Sequence, residues 1–257
     1  MINNKYDNCI INNKAKIHKS VKIGPFSIID ENVSIGKNTV IGPHVHIMPN
    51  TIIGEDNIIH QGSVIGGNPQ DLKFNNEKSK LIIGNRNTIR EYCTLNRGTE
   101  ATGKTVIGDD CLLMAYVHVA HDCIVKDKVI LANSVQLAGH SIINYHAIIG
   151  GMTGIHQFCR VGEHSFVGAC RVVLQDVPPY ILATGDPLKY SGINSVGLRR
   201  RNFSAEQRNI IKKVYKIIYL SKFNVHQSIS NIKKTLKETD EINNILRFIN
   251  ESERGLI

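Results

Sequence analysis

Tryptophan is absent from the 257 residues, and aromatic side chains make up only 6% of them. A core without large rings has to be filled by aliphatics, and the Ile and Val content fits that. No run of about 18 consecutive apolar residues occurs, which excludes a membrane-spanning helix. The start, Met1-Ile2-Asn3-Asn4-Lys5, has none of the apolar stretch a secretory signal requires, so the chain is expected in the cytoplasm. Six cysteines are present (Cys9, Cys93, Cys111, Cys123, Cys159 and Cys170), but no two form a Cys-x-x-Cys pair. That spacing is poor for zinc and unsuited to a redox couple. Acidic residues are in deficit: 31 Lys and Arg stand against 22 Asp and Glu, a formal net charge of +9. Many of the cations gather toward the C-terminal end, at Arg199, Arg200, Arg201, Arg208, Lys212, Lys213 and Lys216. Such a surface attracts nucleic acid, nucleotide phosphates or an acidic protein. Solvated helix faces are the plain alternative.

What the chain has in abundance is a period of six. Ile11, Ile17, Ile23, Ile29, Ile35, Ile41, Ile47, Ile53, Ile59 and Ile65 follow one another at that spacing, which returns at Ile83, Ile89 and Leu95. It then runs from Ile107 and Leu113 through Val119, Val125, Leu131, Leu137, Ile143, Ile149, Ile155, Val161 and Val167 to Val173. A fixed internal period takes precedence over any local reading. Six fits neither a helix nor simple alternation; it means a short strand, a turn and another short strand. The residue after the aliphatic is often Gly, as at Gly24, Gly36, Gly150 and Gly162, which suggests an unusual φ at a tight corner. Four residues after the aliphatic comes a small or β-branched residue, among them Ser27, Thr39, Cys93, Cys111, Cys123 and Cys159. Both positions are expected to point inward, so these four cysteines read as structural. Three hexads close one triangular coil of 18 residues, and coils stack at about 4.8 Å.

Two polar segments interrupt the hexads, Gly66 to Lys80 and Asn96 to Thr105, and both read as loops projected from the prism, where function tends to sit. The pattern stops after Val173, at Pro178-Pro179. Ser204-Ala205-Glu206-Gln207 then reads as a capping box before helix-period apolars Ile210, Ile211, Val214, Ile217 and Ile218. Further helices are expected over Val225–Lys237 and Asp240–Asn250. The organisation is therefore mainly β: a parallel β-helix over residues 1–190, then a small α-helical domain over 191–257 that caps an open end.

With 18 residues per coil, His121, Gly139 and Gln157 fall in one column, and Asp122 lies beneath His140. A neutral imidazole in that column can take a proton from a hydroxyl, and the Gly139 N–H one coil above can stabilise the oxyanion that follows. His118, His140, His146 and His156 cluster nearby. Two chemistries fit the spacing equally well. His118 and His121 with His140 or His146 could bind zinc, or His121 is a metal-free base and the others contact substrate.

The chain resembles the UDP-N-acetylglucosamine 3-O-acyltransferase family over its whole length. The motifs that carry the resemblance are Asn68-Pro69-Gln70-Asp71-Leu72-Lys73-Phe74, Ile89-Arg90-Glu91, Asn96-Arg97-Gly98-Thr99, His118-Val119-Ala120-His121-Asp122-Cys123 and Leu137-Ala138-Gly139-His140. Ile149 to Phe158, Gln175 to Tyr180 and Gly197-Leu198-Arg199-Arg200-Arg201 complete the set. The general crossover rule favours right-handed coils, yet proteins with this hexad pattern form left-handed β-helices, so left-handedness is taken from the resemblance alone. The resemblance implies that His121 is the general base for the glucosamine 3-hydroxyl, with Asp122 as support and the Gly139 amide as oxyanion donor. It implies substrate contacts from Lys73, His118, His140, His156 and Arg200, with Gln70, Asp71, Gln157, Asn194 and Arg201 lining the same cleft. The donor would be an (R)-3-hydroxyacyl chain on the phosphopantetheine arm of acyl carrier protein, an acidic partner that accounts for the basic Arg199–Lys216 region better than nucleic acid does. No metal or resident cofactor and no stable membrane insertion are implied, and the family is a homotrimer whose clefts draw residues from two chains. Val196 stands where some relatives carry an acidic residue, and Ala169 falls near the expected end of the acyl groove. The related N-acyltransferase of the same pathway normally carries an extra N-terminal domain, and none is expected before Ile11. The rivals from other classes are a metal-binding carbonic anhydrase and a catalytically silent trimeric scaffold.

Overall fold

The structure is a computed structural model that describes residues 8–257; the opening segment Met1–Lys5 lies outside the described residues. Paired short strands wind into a three-faced prism. Its first face has nine strands, from Ile10–Ile11 to Val172–Val173, and its second has eight, from Lys16–Ile17 to Arg160–Val161. The third face has ten, beginning at Lys22–Ile23. Pairing is parallel and in register, so the period-six aliphatics stack on one another: Ile29 on Ile47, Ile47 on Ile65, Ile65 on Leu95, Leu95 on Val119, Val119 on Leu137. All of these are at most 1% exposed, and each fully buried Ile or Leu contributes about 1.5–3 kcal/mol.

The second inward position is more than a filler. Ser27 Oγ donates to the Gly42 carbonyl at 2.9 Å, Thr39 Oγ1 to Gly54 at 3.0 Å and Thr153 Oγ1 to Gly168 at 3.0 Å. Cys93, Cys111 and Cys123 do the same with their thiols, at 3.2, 3.1 and 3.2 Å from the carbonyls of Met114, Lys126 and Ala138. A small donor in this slot satisfies a corner carbonyl of the next coil, which a buried corner requires. Burial pushes the thiols of Cys93, Cys111 and Cys123 up, to about 11, about 12 and about 12, so they are not nucleophiles.

The glycine after the aliphatic serves a different end from the one its conformational freedom suggests. Positive φ occurs three residues after the aliphatic and is borne mostly by non-glycine residues, such as Asn32 (57°), Asn38 (57°), Asp122 (60°) and His140 (61°). The glycine is required because coils approach too closely there for a side chain. A Cβ on Gly162 would sit 2.3 Å from the Pro179 nitrogen, and one on Gly150 would sit 2.4 Å from the Ala169 nitrogen.

Beyond Val173 the prism does not end at once. Ile181–Thr184 joins the third face in parallel and Lys189–Ile193 returns antiparallel to it. Four helices follow: α1 (Ser195–Arg200), α2 (Ala205–Leu220), α3 (Val225–Thr235) and α4 (Asp240–Asn250). The short α1 has no periodic signal in the sequence, and α3 stops two residues before Lys237 because Leu236 adopts an extended conformation. The capping box at Ser204 and Gln207 is formed on both sides. The helices pack against the last coil: buried Tyr215 donates to the Pro179 carbonyl at 2.6 Å, and Asn244 Nδ2 donates to Tyr180 Oη at 2.8 Å. No helix among the described residues is long and apolar enough to cross a membrane.

Gly162→Val is expected to destabilise by about 1–3 kcal/mol or more, because the added atoms meet backbone that cannot yield. A Cβ on Gly154, by contrast, would have nothing within 4 Å, so Gly154→Ala should unfold close to the parent. Thermal unfolding of the two variants checks this, and an equal midpoint for both would show that close approach is not what the corner glycines accommodate.

Candidate active site

His121 stands at the corner where the first face passes into the second, immediately after the strand His118–Val119. Its column is as the 18-residue count predicts: the His140 N–H donates to the His121 carbonyl at 3.1 Å, and the Phe158 N–H to the Gly139 carbonyl at 3.2 Å. The imidazole lies close against the next coil, and a Cβ on Gly139 would be 2.6 Å from its Cε1 and 2.7 Å from its Nε2. Gly139 is thus needed to seat the ring. Among the described residues no backbone carbonyl accepts from the Gly139 N–H.

His121 is 5% exposed and its Nδ1 is 2.8 Å from Asp122 Oδ2. The carboxylate is buried too, and every partner it has is a donor. The Thr99 N–H lies 3.1 Å from both oxygens, Thr99 Oγ1 donates to Oδ2 at 2.7 Å, and Thr102 Oγ1 contacts Oδ1 closely. Burial alone would raise the carboxyl pKa; the hydrogen bonds from Thr102, His121 and Thr99 outweigh it and hold the group below its ordinary value. An ionised Asp122 accepting from Nδ1 makes Nδ1 the protonated nitrogen of a neutral His121, which leaves Nε2 with a free lone pair.

His121 borders a cleft of about 400 Å³, which it lines with Gln70, His118, Gly139, His156 and Gln157 and with apolar Leu137, Ile155, Val172 and Leu174. The outward row His118, Gln136, Gly154, Val172 climbs the first face one coil at a time. His118 Nδ1 is tied to Thr94 Oγ1 at 2.7 Å, and burial lowers its pKa. His156 Nδ1 lies 3.3 Å from the guanidinium of Arg254, a residue of the C-terminal tail that nothing in the sequence marked. His140 faces the other side of the corner, stacked on Phe158 at 4.6 Å and edge-on to His121 at 5.2 Å.

Not every expected residue joins this cleft. Asp71 and Lys73 sit in the first projected loop, where Asp71 Oδ1 accepts from the Lys73 N–H at 3.0 Å. Asn194 and Arg200 line a separate groove of about 450 Å³ on the third face, with Ile148, Phe166, Leu182 and Val196. Arg201 Nη1 lies 3.2 Å from His164 Nδ1 in an aromatic stack that includes His146 and Tyr180. Burial, with the Arg201 charge beside it, pushes His164 down to about 3 and His146 down to about 4. Ala169 is exposed at the corner between the third and first faces, on the same coil as Val172. Within one chain Asn194, Arg200 and Arg201 are brought to a different side of the prism from His121.

Among the described residues the side chains that come together as a possible ligand set are His121, Asp122 and His140, without the His118 that the spacing joined to His121 and His140 or His146. A cation there would have to displace the Nδ1 proton and compete with the threonine donors already on Asp122. The set fits proton transfer better than metal ligation.

A hexad prism with a buried His–Asp pair opening on an apolar cleft defines a hexapeptide-repeat acyltransferase. Residues 14–47, 32–67 and 104–139 match the bacterial transferase hexapeptide (six repeats) model, and residues 176–257 match the Udp N-acetylglucosamine O-acyltransferase domain 2 model. An acyl-[acyl-carrier-protein]–UDP-N-acetylglucosamine O-acyltransferase of Thiobacillus denitrificans is 48% identical over 244 residues, 95% of each chain. The UDP-N-acetylglucosamine acyltransferase structure from Bacteroides fragilis superposes with a TM-score of 0.96 at 44% identity, covering 98% of both chains. That from Francisella novicida also gives 0.96, at 38% identity over 98% of this chain and 93% of its own. The chain belongs to the acyl-[acyl-carrier-protein]–UDP-N-acetylglucosamine O-acyltransferase family, and its coil is left-handed.

Because the folded-state pKa of Asp122 lies below the unfolded value of about 3.9, its stabilisation is fully present above that value and is lost as pH falls through the folded pKa. Asp122→Asn is therefore expected to be less stable than the parent at neutral pH, with the gap closing below about pH 4. Urea unfolding at the two pH values checks it; a gap that stayed constant would mean that Asp122 carries no such stabilisation.

Proposed function

We propose that the chain transfers an (R)-3-hydroxyacyl group from acyl carrier protein to the 3-hydroxyl of UDP-N-acetylglucosamine, the first step of lipid A biosynthesis, with His121 as general base. The observation that carries this reading is the His121–Asp122 pair, 2.8 Å apart and buried, with His121 bordering the cleft. Nε2 takes the hydroxyl proton as the oxygen attacks the thioester carbonyl carbon. The Gly139 N–H binds the oxyanion; the C–S bond then breaks and the departing thiolate recovers the proton from His121. Asp122 does not change protonation state; it holds Nδ1–H and stabilises the transient imidazolium.

His118, His156, Gln157 and Gln70 border the reacting groups, and Lys73 and Asp71 belong to the loop beside them. Asn194, Arg200 and Arg201 are assigned to a cleft completed by a second copy, whose third face would lie against this first face in a homotrimer. Their position away from His121 within one chain favours that assembly over a site built from one subunit. The cations of α1 and α2 suit the acidic carrier protein. The reaction needs no metal and no resident cofactor, since phosphopantetheine arrives on the carrier, and it is assigned to the cytoplasm with neither nucleic acid nor membrane insertion. His121→Ala is expected to abolish turnover, by about 10²–10⁴-fold or more, while leaving the assembly folded. The same assay in chelator should run at the parent's rate. Retention of more than about a tenth of the activity by the variant would remove His121 from the role of base, and loss in chelator reversed by zinc would overturn the metal-free reading.

The row His118, Gln136, Gly154, Val172 supports an acyl groove rising toward the C-terminal coils, and Ala169 flanks its far end. Each methylene excluded is worth about 0.8 kcal/mol, so neighbouring even-length donors should be separated roughly tenfold. Ala169→Met is expected to favour a shorter 3-hydroxyacyl donor, and Ala169→Gly to accept an equal or longer one. Competition among donors of several lengths measures this; an unchanged product distribution for both variants would show that Ala169 does not bound the groove.

A further inference from the structure

The segment 97–103 is the second of the two insertions that break the hexads, and no residue in it is expected to touch substrate. It nevertheless supplies three of the donors that hold Asp122. The backbone turns over the corner at Gly98, where a Cβ would lie 2.4 Å from the Lys104 nitrogen, so only glycine lets the segment fold down onto its own continuation. A Gly103 N–H to Thr99 carbonyl bond of 2.8 Å closes the segment into a compact loop. Closure aims the Thr99 N–H and both threonine hydroxyls at the Asp122 oxygens, and the Asp122 N–H is itself held by Thr105 Oγ1 at 2.8 Å. The loop is also fastened to the first insertion. Asn96 Nδ2 donates to the Asn68 carbonyl at 2.8 Å, and the Arg97 N–H donates to the Gly67 carbonyl at 2.9 Å. The Arg97 guanidinium lies over the Phe74 ring at 5.2 Å.

We infer that Thr99 and Thr102 are positioning residues of the reaction, which act on His121 only through Asp122. A carboxylate has about four lone-pair directions. Thr99 and Thr102 occupy those not used by His121, so one direction remains, and it meets Nδ1–H. Without the threonines the carboxylate would be buried with acceptor capacity unfilled. It could then rotate toward His140, whose Nε2 is already 3.8 Å from Oδ2. His121 would lose the partner that fixes its protonated nitrogen, and Nε2 would no longer be reliably the basic one. The inference rests on His121 acting as base.

The test uses the full chain and the steady-state acyl-transfer assay. Thr99→Val and Thr102→Val should each lower kcat by about tenfold or more, less than loss of the base itself, with KM changed by less than about threefold. Thr99→Ser and Thr102→Ser, which keep the hydroxyl, should restore most of the rate. Placed on Asp122→Asn, neither valine substitution should cost a further factor of about two, because residues acting through one group are not additive. Full activity of both valine variants, failure of serine to rescue, or an undiminished extra loss on the Asp122→Asn background would each overturn the inference. Thr102 contacts Asp122 through its side chain alone, so it remains informative if Thr99→Val does not fold. His121→Ala is measured alongside: residual activity there refutes the base, whereas an inactive His121→Ala with fully active threonine variants refutes the positioning role only.

Discussion

Parallel pairing of one coil on the next, in register and at a fixed strand spacing, is the constraint on which everything else in the molecule depends. Because each coil repeats the backbone path of the one before, a side chain one coil along, 18 residues away where no insertion intervenes, lies directly above, and inward aliphatics meet aliphatics. The same repetition makes the corners crowded. Carbonyls turned inward at a corner need a donor, which Ser27, Thr39 and the buried cysteines provide, and corners that touch leave no room for a Cβ at Gly150 or Gly162. Small residues in this fold therefore answer to hydrogen bonding and clearance as much as to volume.

The geometry around His121 comes from the same source. The close contact of His121 on Gly139 is a coil-on-coil contact of the kind that elsewhere joins corner to corner, here with an imidazole in place of backbone. Placing it at a corner exposes one ring edge to the cleft while the other remains inside the structure and reaches Asp122. The prism holds the Gly139 backbone and the His121 ring in one fixed arrangement, and preorganised groups need no rearrangement at the moment of reaction.

The insertions are where the prism departs from pure repetition, and they are fastened to each other as well as to the corner. One carries Gln70 into the cleft and the other closes over Asp122. The third-face groove with Asn194 and Arg200 lies on a different side of the same prism.

The hexad period by itself determined the prism, its inward columns and the His121–Gly139–Gln157 stack, because contacts at whole multiples of 18 residues can be counted along the chain. Of the histidines that the count and the motif resemblance brought together, His118, His121 and His156 line the cleft, whereas His140 stacks on Phe158. What only the tertiary structure decided lies off that count. Thr99 and Thr102 reach Asp122 across 23 and 20 residues through an insertion. Arg254 approaches His156 across 98 residues from the far terminus, and α1 forms where no periodic signal marks it. The role of the corner glycines was likewise settled by distance rather than by φ, since composition records which residue lacks a side chain but not what would have collided with it. A repeat makes stacking legible in one dimension, whereas loops, tails and clearances depend on where separate segments meet in three.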